Sequence, residues 1–282
     1  MALEKGIAEL VEKFIAAGRP SSRQQSIAQR REGYIASAVL AGETETRVDI
    51  QTIELEGMTL RIVSPLNAPT LLPTIIYYYG GCFVSGGFAT HDNQLRQLAY
   101  YGQCRVIAVQ YRLAPHAERL GVDKQRITLA GDSAGGHLAL VTALRLKRAG
   151  EWQPAQLILI YPMLDATAHF ESYIRNGHDY IITRDTLLSG FEMYLPGIER
   201  RHPEASPLWR DDFNGLPPVH IITAEYDPLC DEGEALYHRM TGQGVQCTCQ
   251  RYLGVIHGFF QLGGISEAAR SALRDVAWRA GR

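Results

Sequence analysis

The sequence predicts an α/β protein built on a mostly parallel sheet with helices on both faces. Short apolar runs alternate with helical patterns along most of the chain, as strands and crossover helices do in such a sheet. The runs are almost entirely apolar, which is typical of strands that are covered on both faces. The chain has 282 residues, of which 46% are hydrophobic and 21% charged, enough for one large core.

Six apolar runs are predicted to be strands: residues 74–80, 105–111, 127–131, 157–162, 219–225 and 247–253. The intervening helical patterns cover residues 92–101, 135–149, 184–195, 231–242 and 266–279. Upstream of these, the sequence from Arg47 to Pro65 alternates on both sides of Glu56-Gly57, which predicts an antiparallel hairpin. We find no repeat or linker, so residues 1–282 are expected to form one domain.

Two helices are predicted before the hairpin. Apolar residues recur at helical spacing over residues 2–17, and a second helical stretch extends to about Leu40. Ser21 or Ser22 would be its N-cap and Gly42 its terminator. Charges interrupt the N-terminal pattern, which therefore does not predict a signal peptide, and no apolar run is long enough to span a bilayer. We expect a cytoplasmic protein that does not bind membranes.

Charge and cysteine usage argue against several classes of function. A formal net charge of −2 without any basic run gives no reason to expect nucleic acid as a partner. The five cysteines form no zinc-type pair, and the nine histidines form no helical metal pair. Cys247 and Cys249 would share one face of a strand, but two ligands do not make a metal site. We expect reduced, structural thiols, no metal and no cofactor.

A serine stands at the junction between a predicted strand and a predicted helix. In the sequence Gly-Asp-Ser-Ala-Gly, Ser133 is flanked at two-residue spacing by Gly131 and Gly135. The glycines allow a sharp turn without side-chain collisions, and the following helix directs its N-terminal N–H groups at the reacting centre. The alternative is an ordinary glycine-rich turn, because a serine hydroxyl is a poor nucleophile without a base.

Partners for the serine follow in the order acid, then histidine. Asp227 comes just after the strand 219–225, and His257 lies in the loop after the strand 247–253. Asp227 would orient the imidazole, which would accept the proton of Ser133. Asp231 and Glu232 are alternatives for the acid, although they fit better as the first turn of the next helix. The alternative for the histidine is simple packing against the two phenylalanines that follow it.

A glycine-rich loop after the first core strand could supply an oxyanion hole. Gly80, Gly81 and Cys82 lie at its mouth, and backbone N–H groups of such a loop can converge on one oxygen. The N–H of Ala134, directly after the serine, can bind the same developing charge. The alternative is a plain turn between strand and helix.

These stretches together resemble the α/β-hydrolase fold and, within it, the hormone-sensitive-lipase-like esterases. The resemblance covers residue 50 to the C-terminus and rests on YGGCF, YRLAP, GDSAGG, ITAEYDPLCDEGE and GVIHGFF, which occur in the family's order. It implies a triad of Ser133, Asp227 and His257, oxyanion donors at Gly81, Cys82 and Ala134, and a helical cap over the pocket from residues 1–45. Residues expected to border the substrate pocket are Gly80, Phe83 and Asp132.

The implied function is hydrolysis of short-acyl carboxylic esters through an acyl-enzyme. Ser133 would attack the ester carbonyl, and no cofactor is required. Two alternatives are a catalytically impaired deletion form and a non-catalytic small-molecule-binding protein on the same fold. The intact Ser, Asp and His set argues against the binding protein.

Two departures from the family pattern stand out. Where the family reads His-Gly-Gly-Gly-Phe, this chain has Tyr79 at the first position and Cys82 at the fourth. The family also carries a helix of several turns after YRLAP, whereas here only residues 112–125 remain as the connection to the next strand. The segment is either deleted or missing from the chain as presented. If it is deleted, an apolar sheet face lacks its cover, and we expect a homo-oligomer, specifically a dimer.

Overall fold

The computed structural model describes residues 2–110, 122–150, 152–195 and 197–282. Within these ranges the strands are β1 Val48–Leu55, β2 Met58–Pro65, β3 Leu72–Tyr78, β4 Arg105–Val109, β5 Val122–Asp132, β6 Gln156–Ile160, β7 Val219–Tyr226 and β8 Cys247–Ile256. The α-helices are α1 Lys5–Ala16, α2 Ile27–Ser37, α3 Phe88–Gly102, α4 Ala134–Ala149, α5 Glu171–Arg175, α6 Arg184–Tyr194, α7 Cys230–Gly242 and α8 Glu267–Ala280.

All eight of these strands form one sheet, in the order β1-β2-β4-β3-β5-β6-β7-β8. The pairs β1–β2 and β2–β4 are antiparallel, and every pair from β4 to β8 is parallel. The hairpin predicted around Glu56-Gly57 is confirmed, because Leu55 pairs with Met58 across that turn. The predicted mostly parallel α/β class is confirmed. Since the loops after β3, β5, β7 and β8 leave parallel strands at one edge, residues far apart in sequence meet there.

Helices cover both faces of the sheet. On one face, α3 and α8 pack on the strands with α1, and their core includes Ile75, Val106, Leu98 and Val276. On the other face, α4 and α7 pack over a second core, which includes Ile107, Ile127, Leu129, Leu140, Leu159, Ile221, Leu236 and Met240. The central strands β3 to β7 thus bury side chains on both faces, which explains why their sequences are continuously apolar.

The N-terminal region contains more, shorter helical elements than its sequence pattern predicts. The second predicted helix consists of a 3₁₀ turn at Ser22–Gln24, helix α2 and a 3₁₀ turn at Ala38–Ala41. Ser21 is the N-cap of the 3₁₀ turn that opens this stretch, as predicted, and its N–H donates to the Gln24 side chain, but α2 has a separate N-cap. Ser26 caps α2, because its side chain accepts the N–H of Gln29 while the Gln29 side chain accepts the N–H of Ser26. Gly42 ends the last turn at φ 86°, as predicted.

Two other boundaries differ from the predictions. Helix α3 begins at Phe88, four residues before the predicted start, because Thr90 and Gly87 exchange hydrogen bonds at its N-terminus. Strand β5 begins at Val122 rather than at residue 127. The shortened connection, predicted over residues 112–125, lies outside the described residues as far as residue 121, and its remaining residues belong to β5.

Candidate active site

The strand–helix junction at residues 131–135, called here the serine turn, is held by its glycines. Ser133 has φ 56° and ψ −119°, a conformation that residues other than glycine rarely adopt. A Cβ on Gly131 would lie 2.4 Å from the carbonyl oxygen of Gly135, and one on Gly135 would lie 1.9 Å from that of Tyr78. The N–H of Ser133 donates to the carbonyl of Ile160 at 2.8 Å, so β6 fixes the turn.

Ser133, His257 and Asp227 form one chain of hydrogen bonds. The Nε2 atom of His257 lies 3.0 Å from the Ser133 Oγ, and its Nδ1 lies 2.8 Å from Oδ2 of Asp227. All three residues are buried, with exposed fractions of 4% for the serine, 7% for the histidine and 0% for the aspartate. With the proton on Nδ1, the imidazole donates to Asp227 and can accept the serine proton.

Hydrogen bonds from neighbouring residues fix the orientation of the aspartate. Its second oxygen, Oδ1, accepts the N–H of Leu229 at 2.8 Å, and the Asn176 side chain donates to its carbonyl at 3.1 Å. The alternative acids, Asp231 and Glu232, lie in the first turn of α7, as expected. Asp231 accepts the N–H of Ser172, and Glu232 accepts the N–H of Leu164, so both side chains are engaged elsewhere.

The histidine is packed as well as hydrogen-bonded. Its ring lies 4.7 Å from that of Tyr161, at an interplanar angle of 57°. Tyr161 in turn contacts the ring of Phe259, which is one of the two phenylalanines considered as packing partners. Since both imidazole nitrogens also have polar partners, packing alone does not account for the position of His257.

Residues 79–87, called here the glycine loop, connect β3 to α3 at the same edge of the sheet. The N–H of Gly80 donates to Oδ1 of Asp132 at 3.0 Å, and the N–H of Ser85 donates to the carbonyl of Gly81 at 2.9 Å. Between the described residues, no hydrogen bond uses the backbone N–H of Gly81, Cys82 or Ala134. These N–H groups can therefore serve an oxygen that is not part of the protein.

Cys82 and Phe83 carry side chains in a left-handed stretch of the glycine loop. Their φ values are 51° and 63°. Cys82 is 8% exposed and packs in a small apolar cluster with α6, while the Phe83 ring stacks on Tyr194 of α6 with 3.9 Å between centroids. Burial raises the pKa of the Cys82 thiol to about 12, so the group stays neutral.

Asp132 does not have the environment that the sequence suggested. It was expected to border the substrate pocket, but it is 2% exposed and its carboxylate faces the protein interior. Oδ1 accepts the hydroxyl of Tyr77 at 2.9 Å as well as the Gly80 N–H, and Oδ2 lies 3.3 Å from Nε2 of His91. Burial opposes ionisation, but His91 and these donors outweigh it and lower the pKa of Asp132 below its ordinary value. The carboxylate therefore supports the glycine loop from behind.

Sequence reasoning missed the polar residues that surround Asp132. Besides His91, they include Gln261, whose Nε2 lies 2.7 Å from the hydroxyl oxygen of Tyr34 and 3.4 Å from Oδ2 of Asp132. A signal was present in α3, where polar side chains occupy core-facing positions: Thr90, His91, Asn93 and Gln94 are all buried. Buried polar residues need partners, so such a helix face indicates a network.

The described part of the chain contains no other evident centre for chemistry. Within it, no group of three or more histidine, cysteine, aspartate or glutamate residues could hold a metal ion. All five cysteines are free thiols. Among the same residues, no helix combines the length and the apolar composition needed to cross a membrane.

A serine–histidine–aspartate chain at the carboxyl edge of a mostly parallel sheet defines a hydrolase of the α/β type. Comparison with known families agrees, because the profile of the α/β hydrolase fold matches residues 75–119 and 116–261. The chain belongs to the α/β hydrolase fold family.

Similar proteins are esterases. The chain is 31% identical over 255 residues to carboxylesterase NlhH of Mycobacterium tuberculosis, covering 81% of this chain and 80% of that protein. It is 32% identical over 296 residues to the ethyl acetate hydrolase of Pseudomonas putida, covering 94% and 93%.

Solved structures give the same result. A thermostable esterase from Pseudomonas putida ECU1011 has a TM-score of 0.93 at 27% identity, over 99% of this chain and 97% of that one. A hyperthermophilic esterase from the archaeon Pyrobaculum calidifontis has a TM-score of 0.88 at 34% identity, over 100% and 98%. The chain is a carboxylic ester hydrolase, as the sequence predicted, and the alternative of a non-catalytic protein is not favoured.

Proposed function

We propose that Ser133 is the nucleophile, His257 the general base and Asp227 the orienting acid of this hydrolase. The observation that carries the proposal is the hydrogen-bonded chain of 3.0 Å and 2.8 Å that joins them. Its position supports the same roles, because the serine stands at a strained turn with its Oγ beside the base.

The reaction has two halves. As the Ser133 Oγ bonds to the ester carbonyl carbon, its proton passes to Nε2 of His257 and the carbonyl oxygen becomes negative. When the C–O bond to the alcohol breaks, the histidine returns that proton to the leaving oxygen, and an acyl-serine remains. A water molecule then attacks the acyl carbon while His257 takes its proton. Collapse of this second intermediate releases the acid, and the proton returns to Ser133.

The negative oxygen in each half would be bound by the N–H groups of Gly81, Cys82 and Ala134. Their lack of a partner among the described residues supports this assignment, as does their position beside the serine turn and at the start of α4. Removing one preorganised donor of this kind from a serine hydrolase lowers kcat about 10²- to 10³-fold.

Short-acyl esters are the proposed substrates, from acetyl to about hexanoyl. Two observations support a confined site: all three triad residues are at least nine-tenths buried, and the aromatic stack of Phe83 on Tyr194 closes one side of the glycine loop. A relative described as an ethyl acetate hydrolase supports the same choice. The test is kcat/KM on p-nitrophenyl esters of increasing chain length. A higher value for dodecanoate than for acetate or butyrate would contradict the proposal.

The triad assignment is tested by Ser133→Ala. We expect folding to be retained and kcat to fall by several powers of ten, on the order of 10⁶. A fluorophosphonate should label the wild-type protein on Ser133 and leave the variant unlabelled. If the variant keeps a tenth of the wild-type kcat, or is still labelled, another residue is the nucleophile.

Residues 1–45 are proposed to form a cap element of a one-domain protein. The segment around α2 supports this role, because the Arg31 side chain donates to the carbonyl of Val84 in the glycine loop at 2.9 Å. The 3₁₀ turn before it contacts α6, where Ser22 and Thr186 share a hydrogen bond of 2.7 Å. Helix α1 lies elsewhere: the N–H of Glu4 just before it donates to the carbonyl of Gly254 in β8, so only part of the segment can act as a cap.

A homodimer remains our proposal for the quaternary structure. The family profile matches in two parts that meet within residues 112–125, the segment predicted to be shortened. On the face covered by α4, Ile62 and Ile76 are only partly buried, which supports an uncovered apolar area there. Intact mass should first equal 31.3 kDa. A well-folded monomer in light scattering at micromolar concentration would then overturn the proposal.

A cytoplasmic location is proposed on chemical grounds. The five cysteines are free thiols, which is typical of proteins from a reducing compartment. Fractionation of the native host with an antibody would test the proposal, and recovery in a secreted or periplasmic fraction would refute it.

A further inference from the structure

Helix α6 contains a glycine at the point where it meets the glycine loop. Gly190 is buried in the second half of this helix, which spans Arg184–Tyr194. Glycine in a helix interior is less favourable than alanine, so its presence calls for a reason. The backbone does not supply one, because Gly190 is not among the residues with a positive φ.

The space around Gly190 is taken up by one residue of the glycine loop. A Cβ built on Gly190 would lie 2.8 Å from the Cβ of Cys82 and 2.8 Å from its carbonyl oxygen. Carbon atoms do not approach so closely, and the oxygen belongs to the backbone, which cannot rotate away. Even an alanine at position 190 would therefore displace Cys82.

Cys82 itself stands where related sequences are expected to have glycine. Its φ of 51° is of the kind that glycine adopts freely, so the cysteine side chain needs both a tolerated backbone and room for its atoms. The room lies against α6, where Cys82 packs in one apolar cluster with Leu187 and Phe191. A larger residue in the loop is thus matched by the smallest possible residue in the helix.

The opposite sides of the glycine loop are already fixed. A Cβ on Gly81 would lie 2.1 Å from the carbonyl oxygen of Ser85, and one on Gly80 would lie 2.4 Å from Oδ2 of Asp132. The loop is therefore packed tightly both on itself and on the serine turn. Contact with α6 is a further restraint on Cys82, and a shift of this residue moves its N–H.

We propose that Gly190 is a positioning residue for the catalytic reaction, because its missing side chain lets α6 hold Cys82 with its N–H directed at the reacting oxygen. The inference rests on the proposed oxyanion role of the Cys82 N–H. It assigns to α6 a part in transition-state stabilisation although the helix supplies no group that touches the reacting atoms.

The test uses four variants: Gly190→Ala, Cys82→Gly, the double variant of both, and Gly33→Ala as control. Gly33 is a matched control since it also lies inside a helix, α2, and a Cβ there would have nothing within 4 Å. For each variant, kcat and KM are measured on p-nitrophenyl butyrate. The inhibition constant of a trifluoromethyl ketone is measured as well, because its adduct with serine places an oxyanion in the same position as the intermediate.

Gly190→Ala is expected to lower kcat about 10- to 100-fold, the loss typical of a catalytic group displaced by about 1 Å. KM should change less than about threefold, and the inhibition constant should rise by nearly the factor lost in kcat. In the Cys82→Gly background, the fall in kcat caused by Gly190→Ala should be at least about threefold smaller, because one of the two close contacts is gone. The recovery of kcat should be partial, since the close contact with the carbonyl oxygen of residue 82 remains. Gly33→Ala should stay within about twofold of the wild type.

Several results would overturn the inference. One is a loss in kcat that is the same in both backgrounds, and another is an effect confined to KM, which would make α6 a wall of the substrate pocket. If Gly190→Ala is not recovered folded, the double variant decides: soluble, active protein supports the inference, and equally insoluble protein refutes it. Different results would contradict the proposed function itself: no inhibition of the wild type by the trifluoromethyl ketone, or retained activity of Ser133→Ala.

Discussion

The serine turn and the glycine loop solve the same backbone problem in different ways. Each places a residue other than glycine at positive φ, Ser133 at 56° and Cys82 at 51°. Strain of this kind costs about 1–3 kcal/mol per residue and persists only where the surroundings enforce it. In the serine turn, the space comes from Gly131 and Gly135 in the same five-residue stretch. In the glycine loop, it comes from Gly190, more than a hundred positions further along the chain.

The two segments also differ in what holds them. Backbone hydrogen bonds fix the serine turn, since Ser133 donates to Ile160 at 2.8 Å and accepts from Met163 at 3.1 Å. Besides its internal bond from the Ser85 N–H to the Gly81 carbonyl, the glycine loop is supported by side chains of other elements, including the carboxylate of Asp132 and the guanidinium of Arg31. Backbone contacts cannot rotate away, whereas side chains can. We therefore expect the loop, although tightly packed, to be the more adjustable of the two segments.

The largest effect is expected from Gly135→Ala. The new Cβ would lie 1.9 Å from the carbonyl oxygen of Tyr78 and could be accommodated only by moving β3 or α4. We expect a loss of about 3 kcal/mol or more in the free energy of unfolding, measured by urea denaturation. Gly33→Ala, also within a helix, should change it by less than about 1 kcal/mol. A similar small change for Gly135→Ala would mean that the serine turn is not locally fixed.

A smaller effect is expected from Asp132→Asn, which acts on the glycine loop through one side chain. The side-chain oxygen of asparagine can replace one carboxylate oxygen as a hydrogen-bond acceptor. Its NH2 group would take the place of the other oxygen and face donors instead of accepting from them. The Gly80 peptide should shift, and kcat should fall about 10- to 100-fold with little change in KM. The matched control is Asp165→Asn, because Asp165 is equally buried but binds Trp209 and Thr167. Equal losses in both variants would refute a specific role for Asp132.

The same contrast explains what the sequence could and could not predict. The serine turn was predictable because its glycines, its serine and the flanking strand and helix are all neighbours in the chain. Asp227 and His257 were predictable as candidates because they follow strands that end at the same sheet edge. Their meeting at 2.8 Å is a property of the parallel strand order.

The features that depend on distant contacts were not predictable. Asp132 lies next to the serine in sequence, yet its carboxylate binds Tyr77, Gly80 and His91, which come from β3, the glycine loop and α3. No local sequence pattern predicts that these three elements meet at one carboxylate. The close approach of Gly190 to Cys82 was unpredictable for the same reason. A glycine within a helix indicates close packing, but the sequence does not show which residue packs against it.

The pH dependence of stability gives a weaker test of the Asp132 support. The folded pKa of this carboxyl is lower than its ordinary value, so it stabilises the folded state when ionised. That contribution is present above the unfolded pKa, about 4 for an aspartate, and is lost as pH falls through the folded pKa. The stability advantage of the wild type over Asp132→Asn should therefore shrink with acidification in urea denaturation. A difference that stays constant from neutral to acid pH would show that the carboxylate charge is unimportant.

The smallest effect is expected from Cys82→Gly, and three opposing contributions make it small. Glycine relieves a left-handed conformation that costs other residues about 1–2 kcal/mol. It also gives the unfolded chain more freedom, which costs about 0.4–1 kcal/mol, and it removes a buried side chain worth about 1 kcal/mol. The sum is a change within about 1 kcal/mol in stability, and kcat should stay within about threefold of the wild type, because the N–H at position 82 is kept. Thermal melting and the p-nitrophenyl butyrate assay measure both quantities. If Cys82→Gly were as damaging as Gly135→Ala, the cysteine would be required by the loop, and the distinction between a locally fixed turn and an adjustable loop would be wrong.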